Sequence, residues 1–346
     1  MNRLKSRAAL VLLAGLVSAC SSETVAMWPA PPVHFLTDPS VAATSSPTTP
    51  TDNERGLADA YMKALASPEF VELAPIIDEQ ARFAFGARNT HGRERVLKEH
   101  SDAFGAFDQR RFVTNRVWLT DSTRPLDSQA LEWTMTGIQA RSFLGLAPTH
   151  KPVVIRGLTL LWTSDSGIIS DLHVYFDEEL IRAQLGGGPA DLQKVPTPLA
   201  DAEAQQSYER SGAPQEAANV AVVRAMIQAL EDNKESDFLS TMDDKVEVHT
   251  LDHAEPASGK MAARQYFQTM RGSIRHLDTV IQNAWGVGSF TVVEYALTGL
   301  QQAPLPRIPF AAGRPLHTQF VDIAELENGR MAHIWRYADP IAFASL

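Results

Sequence analysis

The chain carries two similar stretches of sequence in matching order. Glu132-Trp133-Thr134-Met135-Thr136-Gly137-Ile138-Gln139 aligns with Glu294-Tyr295-Ala296-Leu297-Thr298-Gly299-Leu300-Gln301 at an offset of 162 residues. The same offset carries Asp165-Ser166-Gly167 onto Glu327-Asn328-Gly329, Tyr175 onto Tyr337 and Asp177 onto Asp339. Upstream, Met62-Lys63-Ala64-Leu65 meets Ile227-Gln228-Ala229-Leu230 at an offset of 165, and His91-Gly92-Arg93 meets Ser258-Gly259-Lys260 at 167. Drifts of that size are loop insertions, and ordered anchors of this kind mark a repeated structural unit. A length of 346 residues suits two such units at about 150 residues per domain.

Within each repeat the order of elements can be read. In the second, Val220, Val223, Ala225, Met226, Ile227 and Leu230 lie near helical spacing. A short helix is expected around Phe238–Met242, and Lys245 to Leu251 alternates as a strand. Gly259 opens a helix carrying Met261, Ala262, Ala263, Tyr266, Phe267 and Met270. Four strands close the unit, over Leu277–Trp285, Thr291–Gln301, Leu316–Glu325 and Met331–Tyr337, with Asn328-Gly329 as a hairpin turn. Helices followed by an antiparallel meander predict an α+β fold, with the helices on one face of a curved, mainly antiparallel sheet.

The first 19 residues read as a lipoprotein signal peptide: Arg3, Lys5 and Arg7 precede an apolar run from Ala8 to Val17. That run is too short to span a bilayer. Val17-Ser18-Ala19-Cys20 resembles a bacterial lipobox, so Cys20, the one cysteine of the chain, is the expected lipidation site, and no intrachain disulfide can form. The lipobox resemblance implies a lipid-anchored envelope protein, and Ser21 after the cysteine implies the outer membrane, facing the periplasm, in a Gram-negative cell. Residues 20–52 form a Ser/Thr/Pro tether. Residues 53–188 and 215–346 are the two domains, and 189–214 is a Pro- and Gly-bearing linker. Net charge is −10, and loss of the three basic residues before Cys20 makes it −13. That balance argues against a nucleic-acid partner.

The motif set resembles the nuclear transport factor 2-like superfamily, in its SnoaL-like polyketide (ester) cyclase branch. The residues that carry this are the pairs Thr136-Gly137 and Thr298-Gly299, and the helix starts Gly92-Arg93 and Gly259-Lys260. With them go the closing patterns Tyr175-Phe176-Asp177 with Gln184-Leu185-Gly186, and Trp335-Arg336-Tyr337-Ala338-Asp339. The resemblance implies a cone-shaped domain, a bent sheet wrapped around helices with an apolar pocket at the wide end. It implies cofactor-free acid–base chemistry by a carboxylate and a His on a carbon next to a carbonyl. It also implies domains that pair through their sheets, here as an intrachain pseudo-dimer.

Strand alternation puts Asp171, His173, Tyr175 and Asp177 on one face of the last strand of the first repeat, and His333, Trp335, Tyr337 and Asp339 on that of the second. If that face lines the cone, Asp177 and Asp339 are base candidates with His173 and His333 as partners. Alternatively, each Asp caps the turn that follows. Trp133, Tyr175, Tyr295, Trp335 and Tyr337 are the ligand-lining candidates, or else core. Glu132 and Glu294 sit mid-strand, where a one-sided sheet predicts that they point to water. His249 and His253 are four apart, but on a strand end and loop, where that spacing builds no metal site; no metal and no cofactor is expected. His150 replaces the Gly usual in the family's Pro-Thr-Gly-Lys loop, and His317 has no His counterpart in the first repeat, where Ile155 is expected. No nucleophile elbow or phosphate-cradling loop occurs in the sequence. Three functions remain: binding a small apolar ligand, cofactor-free cyclase or isomerase chemistry, and protein interaction. The last predicts cones filled by residues such as Trp162, Trp285 and Phe320.

Overall fold

The structure, a computed structural model, describes residues 52–85, 88–120, 128–187, 206–251, 255–305 and 311–338. Cys20, the tether, His253 and Asp339 lie outside them. The first domain runs α1 (Asp52–Ala66), a 3-10 turn (Val71–Ile76), β1 (Ile77–Phe85), β2 (Arg88–His91), α2 (Arg93–Phe104), β3 (Phe107–Leu119), β4 (Ser128–Gln139), β5 (Pro152–Thr163), β6 (Ile169–Phe176) and α3 (Glu178–Leu185). Within the stretch read as linker, Gln206–Glu209 forms β7, which pairs parallel to β3. The second domain comprises α4 (Pro214–Glu231), α5 (Glu235–Ser240), β8 (Met242–Thr250), β9 (Ala257–Ser258), α6 (Gly259–Ser273), β10 (Ile274–Val287), β11 (Phe290–Gln301), β12 (Pro315–Glu327) and β13 (Arg330–Ala338).

Both sheets have one strand order. The first is β2-β1-β6-β5-β4-β3 with β7 added at the edge, and the second is β9-β8-β13-β12-β11-β10. Each is a mixed sheet: the last strand of the meander pairs parallel to the first strand of its domain, β6 to β1 and β13 to β8. Local chemistry explains the ends. Pro214 starts α4 where its missing N–H loses nothing. Asn328 and Gly329 both take positive φ, 50° and 72°, as a two-residue hairpin turn requires. His150 has φ 55° and its counterpart Gly313 has φ 77°, which explains the glycine usual at this position. Register corrects one correspondence: Thr136 pairs with Val154 and Thr298 with His317, so Val154 rather than Ile155 is the counterpart of His317.

Strand alternation sends each sheet's side chains in two directions. On the helix side of the first sheet, Leu131, Trp133, Met135, Leu172, Val174 and Phe176 pack against α1 and α2 through Tyr61, Leu65, Val96 and Phe104. On the helix side of the second, Val293, Tyr295, Leu297 and Phe320 meet Val223, Ile227, Leu230 and Phe267. The opposite faces meet each other. Trp118, Ala130, Leu158, Leu160 and Tyr175 of the first sheet form one buried cluster with Trp285, Val287, Phe290, Val292, Val321, Ile323 and Tyr337 of the second. Each large apolar side chain buried there contributes roughly 1.5–3 kcal/mol, so this seam is a third core. No helix among the described residues is long and apolar enough to cross a membrane.

Candidate functional site

The seam holds two carboxylates that strand position alone assigned to water. Glu132 is 1% exposed and Glu294 is fully buried, because the sheet face they share is covered by the other sheet. Burial requires partners, and each finds one across the seam. The Tyr175 hydroxyl donates to Glu294, and the Tyr337 hydroxyl donates to Glu132. Since Tyr175 and Tyr337, and Glu132 and Glu294, are matching repeat positions, the two contacts are reciprocal. Neighbouring charges differ. Arg116 binds Glu132 with Nε at 2.6 Å and Nη2 at 3.0 Å, and Arg156 Nη2 lies at 3.4 Å. Glu294 instead takes His173 Nδ1 at 2.6 Å and a bond from Asn283.

Electrostatics at the seam follow from those contacts. Burial alone would lower the His173 imidazole's pKa, but the Glu294 carboxylate, helped by Asp171, raises it to about 10. Burial would raise the pKa of Glu294, and His173, Tyr175 and Asn283 together hold it below the usual carboxylate range. Glu132 is likewise held low by Arg116, Arg156 and Tyr337 against the effect of burial. One ion pair, His173 with Glu294, therefore joins one sheet to the other, while Arg116 and Arg156 compensate Glu132 from within its own sheet.

The helix-side interiors differ at matching places. In the first domain the indole of Trp133 lies over Gly157, so close that an added Cβ would stand 2.3 Å from the ring. Its Nε1 donates to Thr159 at 3.0 Å. Phe104, Phe112 and Phe176 pack round that indole at centroid distances of 5.6–6.1 Å, and Phe104 meets Phe176 at 5.4 Å. Behind them the Tyr61 hydroxyl donates to His100 Nε2 at 2.9 Å, while His100 Nδ1–H is directed at the Val96 carbonyl at 2.8 Å. Burial lowers His100 to about 4, so the ring is neutral.

In the second domain the same register positions hold Tyr295, Phe320, Asp322 and Arg336. Arg336 clamps Asp322 with two bonds of 2.8 and 2.7 Å, and the Tyr295 hydroxyl donates to Asp322 at 3.1 Å. The guanidinium lies 4.5 Å from the Tyr266 ring and 5.4 Å from that of Phe320. Burial would lower the Arg336 pKa, but Asp322 holds it far above its ordinary value. The Thr318 hydroxyl is buried without a hydrogen-bond partner among the described residues, and the Tyr266 hydroxyl is turned toward Arg336. The clamp is thus a charged pair set inside an otherwise apolar core. These polar interior residues were not singled out from sequence. The available signal was parity: Asp322 shares a strand face with Phe320 and Ala324, both buried.

Residues 223–334 match the family model of the SnoaL-like domain. The second half of the chain carries a SnoaL-like domain. Solved structures of similar fold include a protein named as a SnoaL-like polyketide cyclase from Jannaschia sp. CCS1, 20% identical, covering 39% of this chain and 96% of its own, with TM-score 0.35. An NTF2-like protein from Burkholderia xenovorans LB400 is 16% identical over 37% of this chain and 95% of its own, with TM-score 0.30. A polyketide cyclase by name from Pseudomonas putida KT2440 is 23% identical over 34% and 90%, with TM-score 0.30. A comparison with curated proteins finds no match.

In the SnoaL-like domain and its partner, the residues singled out from sequence fall in three places. His173, Tyr175 and Tyr337 lie at the seam, on the sheet face turned to the other sheet rather than to the helices. Trp335 and His333 share that face, toward its edge, where Arg116 lies 3.9 Å from the Trp335 ring and His333 is about a third exposed. Trp133 and Tyr295 lie in the helix-side interiors. Asp177 caps α3, its Oδ1 accepting the Leu180 N–H at 2.9 Å. The strand therefore does not bring Asp177 and His173 together. Trp162 and Trp285 meet at the seam with centroids 6.4 Å apart, and Phe320 lies inside the SnoaL-like domain.

Proposed function

We propose that this chain is a lipid-anchored envelope protein whose second domain binds a small, mainly apolar molecule, with the first domain serving as its structural partner. The observation that carries the binding reading is the Asp322–Arg336 clamp, with Tyr295 and Tyr266, inside the second apolar core. The first interior, filled by Trp133 and its phenylalanines, supports assigning the ligand to the second. The ligand presents one acceptor oxygen or anionic group to Arg336 and Tyr266. The two domains form an intrachain pseudo-dimer, supported by the reciprocal bonds of Tyr175 to Glu294 and of Tyr337 to Glu132. The address rests on the apolar run Ala8 to Val17 and the lipobox ending at Cys20. Radiolabelled palmitate incorporated into wild type but not Cys20→Ser checks it.

Anilinonaphthalene sulfonate, an apolar anion, tests the binding site. The folded chain should bind it saturably at one site, and the paired replacement Asp322→Leu with Arg336→Met should abolish binding while Thr159→Val in the first domain leaves it intact. Pairing the replacements avoids leaving a buried charge alone. No saturable binding by the folded wild type would sink the reading.

A further inference from the structure

At one edge of the second sheet, parallel strands β8 and β13 set Glu247 beside His333 and His249 beside Trp335. Glu247, His249 and His333 each offer one ligand atom, and all three atoms lie within 4.8 Å of one another. Glu247 Oε2 stands 3.3 Å from His333 Nδ1 and 3.5 Å from His249 Nε2. Zinc bonds of about 2.0–2.2 Å to nitrogen and oxygen place tetrahedral ligand atoms roughly 3.3–3.5 Å apart. The two separations from the carboxylate match that spacing, and the two imidazole nitrogens lie within 4.8 Å of each other, so one zinc ion can draw in all three.

A second observation points the same way. His249 Nε2 is buried and has no hydrogen-bond partner among the described residues, although it faces the carboxylate. The ring itself is held, stacked on Trp335 at 5.3 Å and 13°. His333 stacks on the same indole at 5.6 Å and 23°. A ring fixed by packing, with a nitrogen aimed at a carboxylate and a second imidazole, is a preorganised ligand. The neighbouring cation, Arg116, is neutralised by Glu132.

The first domain shows that the arrangement belongs to the second repeat alone. By register its matching positions are Arg82, Ala84 and Asp171, and there Arg82 pairs with Asp171 as an ordinary ion pair. We propose that Glu247, His249 and His333 form a binding site for a divalent transition metal, zinc, with two imidazoles and a carboxylate as ligands. Three protein ligands leave the fourth position to water or an exogenous oxygen ligand. The site is separate from the interior clamp and does not depend on the ligand reading above. It also differs from the His249/His253 spacing, since the ligands come from two strands.

Titration of the full chain with zinc chloride, followed calorimetrically, is the test. One site per chain is expected, and His249→Ala and His333→Ala should each weaken it at least about tenfold, with His276→Ala, elsewhere on the sheet, leaving it unchanged. Zinc should raise the melting temperature of wild type but not of the two His variants, and similar melting temperatures without metal would show that the variants fold. Cobalt substitution should give d–d bands without a thiolate charge-transfer band. Absence of a wild-type site, unchanged affinity in both His variants, or a thiolate band that places the metal on Cys20 would each overturn the proposal.

Discussion

The two interiors solve one packing problem differently. Where the first domain sets Trp133 over Gly157, with an indole N–H donating to Thr159, the second stacks Tyr295 on Phe320 at 5.3 Å and clamps Asp322 with Arg336. One repeat spends its volume on an aromatic plug and satisfies the polar remainder with neutral groups. The other keeps a desolvated ion pair, where well-packed apolar side chains of similar volume are often at least as stable. The contrast, a buried ion pair in one copy and neutral polar groups at the matching places in the other, is what supports assigning the proposed ligand to the second domain.

Breaking the clamp should give the largest effect. Asp322→Ala leaves the Arg336 guanidinium buried and unpaired, and the loss of stability in urea should be about 3–5 kcal/mol. If Asp322→Ala and Thr159→Val proved equally mild, the contrast between the interiors would be wrong. At the seam, where the two domains are alike, Tyr175→Phe and Tyr337→Phe each remove one bond to a buried carboxylate. Equal losses of roughly 1.5–3 kcal/mol are expected, and a strongly unequal pair would break the reciprocity. Gly157→Ala puts a methyl group against Trp133 and should lower stability by about 1–3 kcal/mol through overpacking; full tolerance in a thermal melt would mean that the first interior has room.

The pH dependence of the seam sharpens the comparison further. His173 has a folded pKa of about 10 against roughly 6.5 unfolded, so the folded state binds the proton more tightly. Its contribution is full below about 6.5 and is lost as pH rises toward 10. Glu294 and Glu132, with lowered values, contribute above about 4.5 and lose that contribution as pH falls. His173→Phe should therefore flatten the alkaline decline in stability and also weaken the share of the acid limb that Glu294 supplies, since His173 helps to hold that carboxylate low; an unchanged alkaline limb would remove His173 from the seam's charge balance. His100, buried and neutral, favours the unfolded state as pH falls from about 6.5 to 4. It adds to the acid limb from the first domain alone.

Particular residues show what could be read from sequence. The Asn328-Gly329 hairpin, the helix opened by Gly259 and the four closing strands were legible, because turn chemistry and alternation are local. The burial of Glu132 and Glu294 was not: alternation gives the face a side chain occupies, but only docking of a second sheet decides whether that face meets water. The same holds for His173 and Asp177, which share strand parity but part company when one meets Glu294 and the other the start of α3.

Sequence by itself determined the repeat, the α+β order of elements and the single cysteine after an apolar run, since each is written in spacing and composition. Tertiary structure alone decided which residues on distant strands become partners. Tyr175 with Glu294, Asp322 with Arg336, and Glu247 with His249 and His333 meet because hydrogen-bond register and sheet docking are set by the whole fold. No local pattern specifies a contact between residues 119 positions apart, because the free energy that enforces it comes from burying both sheets at once.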